Sequence, residues 1–236
     1  MQLVMFHPFD HPLKRGWVGR LDGDQVIQLA AQTLQAFFTG GGSAREHAVF
    51  PLSEVRLLAP VLYPPAVRVF DDARSFSFAN PAAILGPGAQ IAVHGKPCNS
   101  LLQGDLVLLP RLAAMVGDAG AIGGFTAVAD WRRPALAPPK DRDFALALGP
   151  AVVTLDELDP DGLEAVVRVD GEERLRGRFK SFDWKGARAT AVEGTTLRPG
   201  DLVVGPALDT VADFTPGSAV EFEVAGIGVL RQTIVR

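Results

Sequence analysis

Glycine and proline interrupt this chain so often that its elements must be short, with 25 Gly and 18 Pro spread over 236 residues. Inside a helix Gly costs about 1 kcal/mol and Pro about 3 kcal/mol relative to Ala, so punctuation of this density works against long helices. Between the interruptions lie short apolar runs: "AAILGPGAQIAV", "GDLVLLPRLAAMVG", "GGFTAVADW", "FALALGPAVVTL", "LEAVVRVDGEERLRGRF", "GDLVVGPAL" and "AVEFEVAGIGVLRQTIV". Apolar runs of this length between turn residues read as strands. The chain is therefore expected to be mainly β with a few short helices.

The turns have their own chemistry. Asp170-Gly171 closes a hairpin, while "LRPGD" and "FTPGS" are Pro-Gly turns, Pro supplying φ near -65° and Gly the positive φ that follows. Helical spacing is confined to Ala30–Phe38, where Leu34, Phe37 and Phe38 share one side, and to "WKGARATAVEG". The glycines of "TGGGS" follow a helix rather than open one, which makes them a linker and not a phosphate-binding loop. "MQLVMFHP" and "GWVGRLDGDQVIQLA" form two or three strands around a hairpin at Asp22-Gly23-Asp24. Pro60, Pro64 and Pro65 then mark a boundary. The expected organisation is a small β-rich domain at 1–60 followed by a larger β domain at 61–236.

Charge and cysteine usage narrow the function classes. A net charge of -4 with scattered Lys and Arg gives no footprint for nucleic acid. No apolar span approaches the roughly 20 residues that cross a bilayer, and the N-terminus lacks a signal-peptide core. The single cysteine, Cys98, excludes an internal disulfide and a cysteine-rich zinc site, in keeping with a reducing cytoplasm. Small-molecule or protein partners are expected.

Several stretches, in this order, resemble the fumarylacetoacetate hydrolase family: "VRLLAPV", "FANPAAILGPGAQI", "GGFTAVADW", "RDFALALGPAVVTLDEL", "TTLRPGDLVVG" and "GSAVEFEVAGIGVLR". The resemblance runs from about residue 52 to the C-terminus. It implies a mixed β-sandwich roll, a homodimer, and a Mg²⁺ or Mn²⁺ site that binds a β-dicarbonyl or 2-oxo acid. A hard cation held by carboxylates would chelate the adjacent oxygens of such an acid and stabilise its enolate.

The resemblance also exposes departures. Family members carry a Glu-x-Glu pair on the strand corresponding to "LLPRLAAMVG" and an Asp at the end of the next one. Asp130 matches that Asp, but Leu109 and Arg111 stand at the two glutamate positions, and no glutamate occurs between Glu54 and Glu157. Asp71, Asp72, Asp105 and Asp118 are the other carboxylates from which a metal site with Asp130 could be rebuilt. A family loop carrying a histidine and an acidic residue is reduced here to "DDARS", in which Asp71, Asp72 and Arg74 are either a remnant of the site entrance or a charged loop. A family lysine is replaced by Arg142, which cannot exchange a proton in the working range but can clamp a carboxylate. The glycine-threonine loop reads "GPALDT", keeping Gly205 but placing Pro206 and Ala207 where a backbone donor and a hydroxyl are expected.

The histidines are weaker candidates. His94 beside a turn reads as a surface residue, and His7 and His11 as incidental placements. These departures favour a family member with a degraded metal site and no cofactor, non-catalytic or of much reduced activity, binding a small oxo acid or other anion. The alternative is an active hydrolase, tautomerase or decarboxylase using Mg²⁺ or Mn²⁺ on an acylpyruvate or oxaloacetate. In the first reading Arg111 points into the pocket and compensates the charge of Asp130 in place of the metal.

Overall fold

A computed structural model of the chain describes residues 1–92 and 106–236. The N-terminal unit begins with β1 (Gln2–Pro8), buried along nearly its whole length, and continues into β2 (Trp17–Asp22) and β3 (Gln25–Leu29). These two strands pair across the expected turn, where Gly23 takes a φ of 59°. Helix α1 (Leu34–Thr39) starts later than the spacing of apolar residues predicts. Thr33 is extended, and its hydroxyl accepts from the backbone N–H of Ala36, so the cap ends the non-helical chain there. The strands β4 (Glu46–Pro51) and β5 (Val55–Leu58) complete this unit.

The rest of the chain supplies β6 (Val67–Asp72), β7 (Ser75–Ala79), β8 (Ile84–Leu85), β9 (Ala89–Ala92), β10 (Val107–Val116) and β11 (Ile122–Arg132). Then follow β12 (Leu146–Thr154), β13 (Glu164–Val169), β14 (Glu172–Arg178), α2 (Trp184–Val192), β15 (Leu202–Val204), β16 (Ala219–Val224) and β17 (Gly228–Val235). The larger sheet runs β4-β3-β2-β1-β12-β11-β10-β15-β6-β7, with β5 attached to β1 and β8 to β12. The smaller runs β14-β13-β16-β17-β9. The fold is the mixed β-sandwich type that the family resemblance implies, with both hairpins at the expected turns and both helices within the expected stretches apart from the later start of α1.

The larger sheet is continuous across residue 60, because β1 pairs with β12 at Leu3 opposite Val152. Leu3, Met5 and Val18 share a core with Val69, Val128, Leu148 and Val204. On the other face of the sheet, Leu112, Phe125, Ala127 and Trp131 pack against Val167, Phe222 and Leu230 of the smaller sheet. Strands β10 and β11 are thus buried on both faces, which explains their near-continuous apolar character. Among the described residues, no helix is long and apolar enough to cross a membrane.

A buried charge pair lies at the seam of β6 and β15. Arg68 Nη1 donates to Asp201 Oδ2 at 3.2 Å, and both residues are almost fully buried. Asp201 Oδ2 also accepts the backbone N–H of Arg198, and the Arg68 guanidinium lies 5.7 and 5.6 Å from the ring centroids of Phe76 and Phe78. Removing one partner of such a pair leaves an uncompensated buried charge. Asp201→Ala should therefore cost about 3–5 kcal/mol in chemical denaturation, and a loss of under about 1 kcal/mol, the scale of an exposed pair, would contradict this.

Candidate functional site

The antiparallel register of β10 and β11 sets Leu109 opposite Asp130 and Arg111 opposite Val128. Cross-strand partners share a face, and the side-chain period of two adds Arg132 to it. Leu109, Arg111, Asp130 and Arg132 therefore converge on one side of the sheet, as the register inferred for Leu109 and Arg111 requires.

Asp130 is only 2% exposed. Arg132 grips it with a two-pronged fork, Nε donating to Oδ1 and Nη2 to Oδ2, both at 2.8 Å. Arg111 Nε lies 3.0 Å from Asp130 Oδ2, an ion-pair distance without a hydrogen bond. Arg111 Nη1 reaches in two further directions, donating at 3.0 Å to Asp71 Oδ1 and at 3.0 Å to the carbonyl of Gly205. Arg132 Nη1 donates to Asp141 Oδ2 at 3.0 Å. Burial opposes the charge on Arg132, but its bonds to Asp130 and Asp141 outweigh this and hold its pKa above the ordinary arginine value.

Arg142 follows on the same short turn as Asp141 and donates to Ser77 Oγ at 2.6 Å. Among the described residues no carboxylate forms an ion pair with it. Its pKa is lowered, first by burial and then by the like charge of Arg132, with Arg111 adding a smaller push.

Asp71, Arg111, Asp130 and Gly205 are thus brought together, with Leu109 beside them and Arg142 close enough to feel their charge. Asp72 and Arg74 are not part of the cluster. Asp72 Oδ1 accepts the backbone N–H groups of Arg74 at 2.7 Å and Ser75 at 3.1 Å, shaping the turn between β6 and β7. Both residues are exposed. Asp118 is exposed at the start of a single 3-10 turn. His7 lies in β1 with Nδ1 2.8 Å from its neighbour's carbonyl, and His11 stacks on Trp17. His94, Cys98 and Asp105 lie outside the described residues. Arg132 and Asp141 were not singled out from the sequence. The signal for Arg132 was its place two residues beyond Asp130 on one strand, whereas Asp141 arrives from a loop with no local signal.

These residues do not fit a divalent cation. Mg²⁺ and Mn²⁺ need oxygen ligands with free lone pairs facing the ion. Both Asp130 oxygens are engaged by Arg132, and the guanidinium of Arg111 stands at one of them. Among the described residues no group of three His, Cys, Asp or Glu is placed to hold a metal. A cation would enter a cluster that already carries Arg111, Arg132 and Arg142, whose charges Asp71, Asp130 and Asp141 balance. A cavity of about 330 Å³ opens on the far side of Asp71 and Gly205, both of which line it.

Residues 64–235 match the family model described as fumarylacetoacetate (FAA) hydrolase C-terminal. The chain belongs to this family. A Mycobacterium tuberculosis relative, Protein Rv2993c, is 28% identical over 220 residues, covering 79% of this chain and 81% of that protein. An uncharacterized Pyrococcus abyssi protein, PYRAB13970, is 32% identical over 98 residues, 41% of this chain and 44% of its own length. The chain thus spans less than half of that relative. Among solved structures, maleylpyruvate hydrolase from Sphingobium sp. SYK-6 matches with a TM-score of 0.81 at 20% identity, covering 100% of this chain and 99% of that one. The same enzyme is described in complex with manganese(II) and pyruvate. A 5-carboxymethyl-2-hydroxymuconate delta-isomerase from Mycobacterium smegmatis matches with a TM-score of 0.76 at 23% identity, with 100% of each chain covered.

Arg132→Ala removes both hydrogen bonds to a buried carboxylate and should cost about 3–5 kcal/mol of unfolding free energy, whereas Arg111→Ala leaves that fork in place and should cost less. A pKa raised on folding contributes stability that is fully present below the unfolded-state value and lost only as pH rises above it. The cost of Arg132→Ala should therefore be the same at pH 7 as at pH 9. Denaturant titrations at both pH values check this, and a loss that shrinks between them would contradict it.

Proposed function

We propose that this family member binds a small organic acid without a metal ion and has no metal-dependent hydrolase, tautomerase or decarboxylase activity. One observation carries the reading: both oxygens of Asp130, the carboxylate matched to the family's metal ligand, are held by the Arg132 fork, with Arg111 at a glutamate position. Charge compensation that a divalent ion would supply comes from guanidinium groups, which are charged at any working pH and neither chelate an oxo acid nor exchange protons. Pro206 and Ala207 support the same reading, since neither offers the donor groups expected at those positions.

The fold likeness to the manganese- and pyruvate-bound hydrolase favours a second reading, a metal-dependent enzyme of acylpyruvate-type substrates. Titration of Mn²⁺ and Mg²⁺ by calorimetry, paired with turnover assays on acylpyruvates and oxaloacetate, separates the two. The expected result is no stoichiometric metal binding and no turnover above background. One tightly bound Mn²⁺ with turnover would overturn the proposal. The reading includes a cytoplasmic homodimer; a molar mass of two chains in light scattering is expected for the assembly.

A further inference from the structure

The cavity beside the charge cluster has an apolar wall and a cationic rim, and none of the cluster's guanidinium groups lines it. Its wall is made by Phe179, Phe182, Trp184, Leu112 and Leu208. Asp183 caps α2, its Oδ1 accepting the N–H of Gly186, and so fixes Trp184 as the first residue of the helix. The Trp184 ring is held edge-to-face by Phe125 on one side and Phe182 on the other, each centroid 4.8 Å away. Gly205 completes the fit, because a Cβ there would lie 2.7 Å from the Trp184 ring. The wall is therefore formed in advance and loses little freedom when a ligand enters.

The polar groups at the mouth are unequal. Asp71 is one anion, already bonded to Arg111 through Oδ1. Against it stand two cations, Lys180 and Arg178. Arg178 makes only long contacts, 3.4 Å to Glu164 and 3.4 Å to the Gly162 carbonyl. Lys180 has no ion pair or hydrogen bond among the described residues. The mouth thus favours an anion, and the wall an apolar body. The volume, about 330 Å³, is at the lower end of ligand pockets and suits a single ring with a short chain.

We infer that this cavity binds a small carboxylic acid with an aromatic body, the ring against Phe182 and Trp184 and the carboxylate at Lys180. The inference rests on the metal-free reading above and names its ligand class. It requires ring and carboxylate to be recognised together and separately from the Asp130 cluster.

Calorimetric titration of the full chain with phenylpyruvate, pyruvate and the neutral 3-phenylpropanamide tests it. Phenylpyruvate should bind at least about tenfold more tightly than either of the others. Lys180→Glu, a change at an exposed position, should weaken phenylpyruvate about tenfold or more and leave the melting temperature unchanged. Ala207→Trp, which fills the cavity, should abolish binding. Equal affinity for the amide or for pyruvate, an unaltered affinity in Lys180→Glu, or no binding at millimolar phenylpyruvate would each overturn the inference. A Mn²⁺ titration keeps the two claims apart. If Mn²⁺ binds and pyruvate binds only in its presence, the metal-free reading fails, while Lys180→Glu still decides the cavity. If neither Mn²⁺ nor phenylpyruvate binds, the cavity inference alone falls.

Discussion

An ionised carboxylate in a β-strand buried on both faces is tolerable only if opposite charge reaches it through the same sheet face, and Asp130 sets that condition here. Desolvation of a lone carboxylate costs several kcal/mol, more than a strand pair returns. Arg132 answers from the same strand and Arg111 from the neighbouring one. The consequences spread outward from this contact. Arg111 has donors left over, and they fasten the end of β6 through Asp71 and the loop after β15 through the Gly205 carbonyl. Arg132 in turn pulls in the turn that carries Asp141 and Arg142. One buried charge thereby positions four separate segments around a single point of the sheet.

That point lies at the ends of β10 and β11, with the loop after β15 beside it. The family relationship and the close fold match to a maleylpyruvate hydrolase agree on the scaffold. Three arginines and three aspartates set the electrostatics of this part of it. Guanidinium groups give directional hydrogen bonds and permanent charge but no open coordination position, so the cluster is suited to holding structure and orienting nearby groups. The cavity next to it has a mostly apolar wall and carries one aspartate against a lysine and an arginine. Asp71 and Gly205 lie between the charge cluster and the cavity, bonded to Arg111 and lining the cavity.

The legibility of these features in the sequence follows the range of the forces behind them. Turns at Asp22-Gly23 and Asp170-Gly171, the apolar strands, and the two helices are local matters of φ, periodicity and capping. The pairing of Leu109 and Arg111 on one face was legible too, because a strand alternates with a period of two whatever surrounds it. Family membership was carried by ordered short motifs. The start of α1 was missed by a few residues, since the Thr33 cap competes locally with an apolar pattern that extends further back. Asp71 and Asp72 could not be told apart from the sequence: Asp71 Oδ1 accepts from Arg111, whereas Asp72 Oδ1 accepts two backbone N–H groups of its own turn, where the ladder of β6 and β7 shifts register.

By itself, then, the sequence determined a mainly β chain of the fumarylacetoacetate hydrolase family with an arginine in one apolar strand and an aspartate at the end of the next. Only the tertiary structure decided that Arg132 rather than Arg111 makes the two-pronged grip on Asp130, that Asp141 joins from a loop, and that Phe182, Trp184 and Lys180 line a cavity next to the cluster. These are contacts between segments far apart in the chain. Their geometry depends on how two sheets pack and where loops return, and no local propensity or periodicity encodes that.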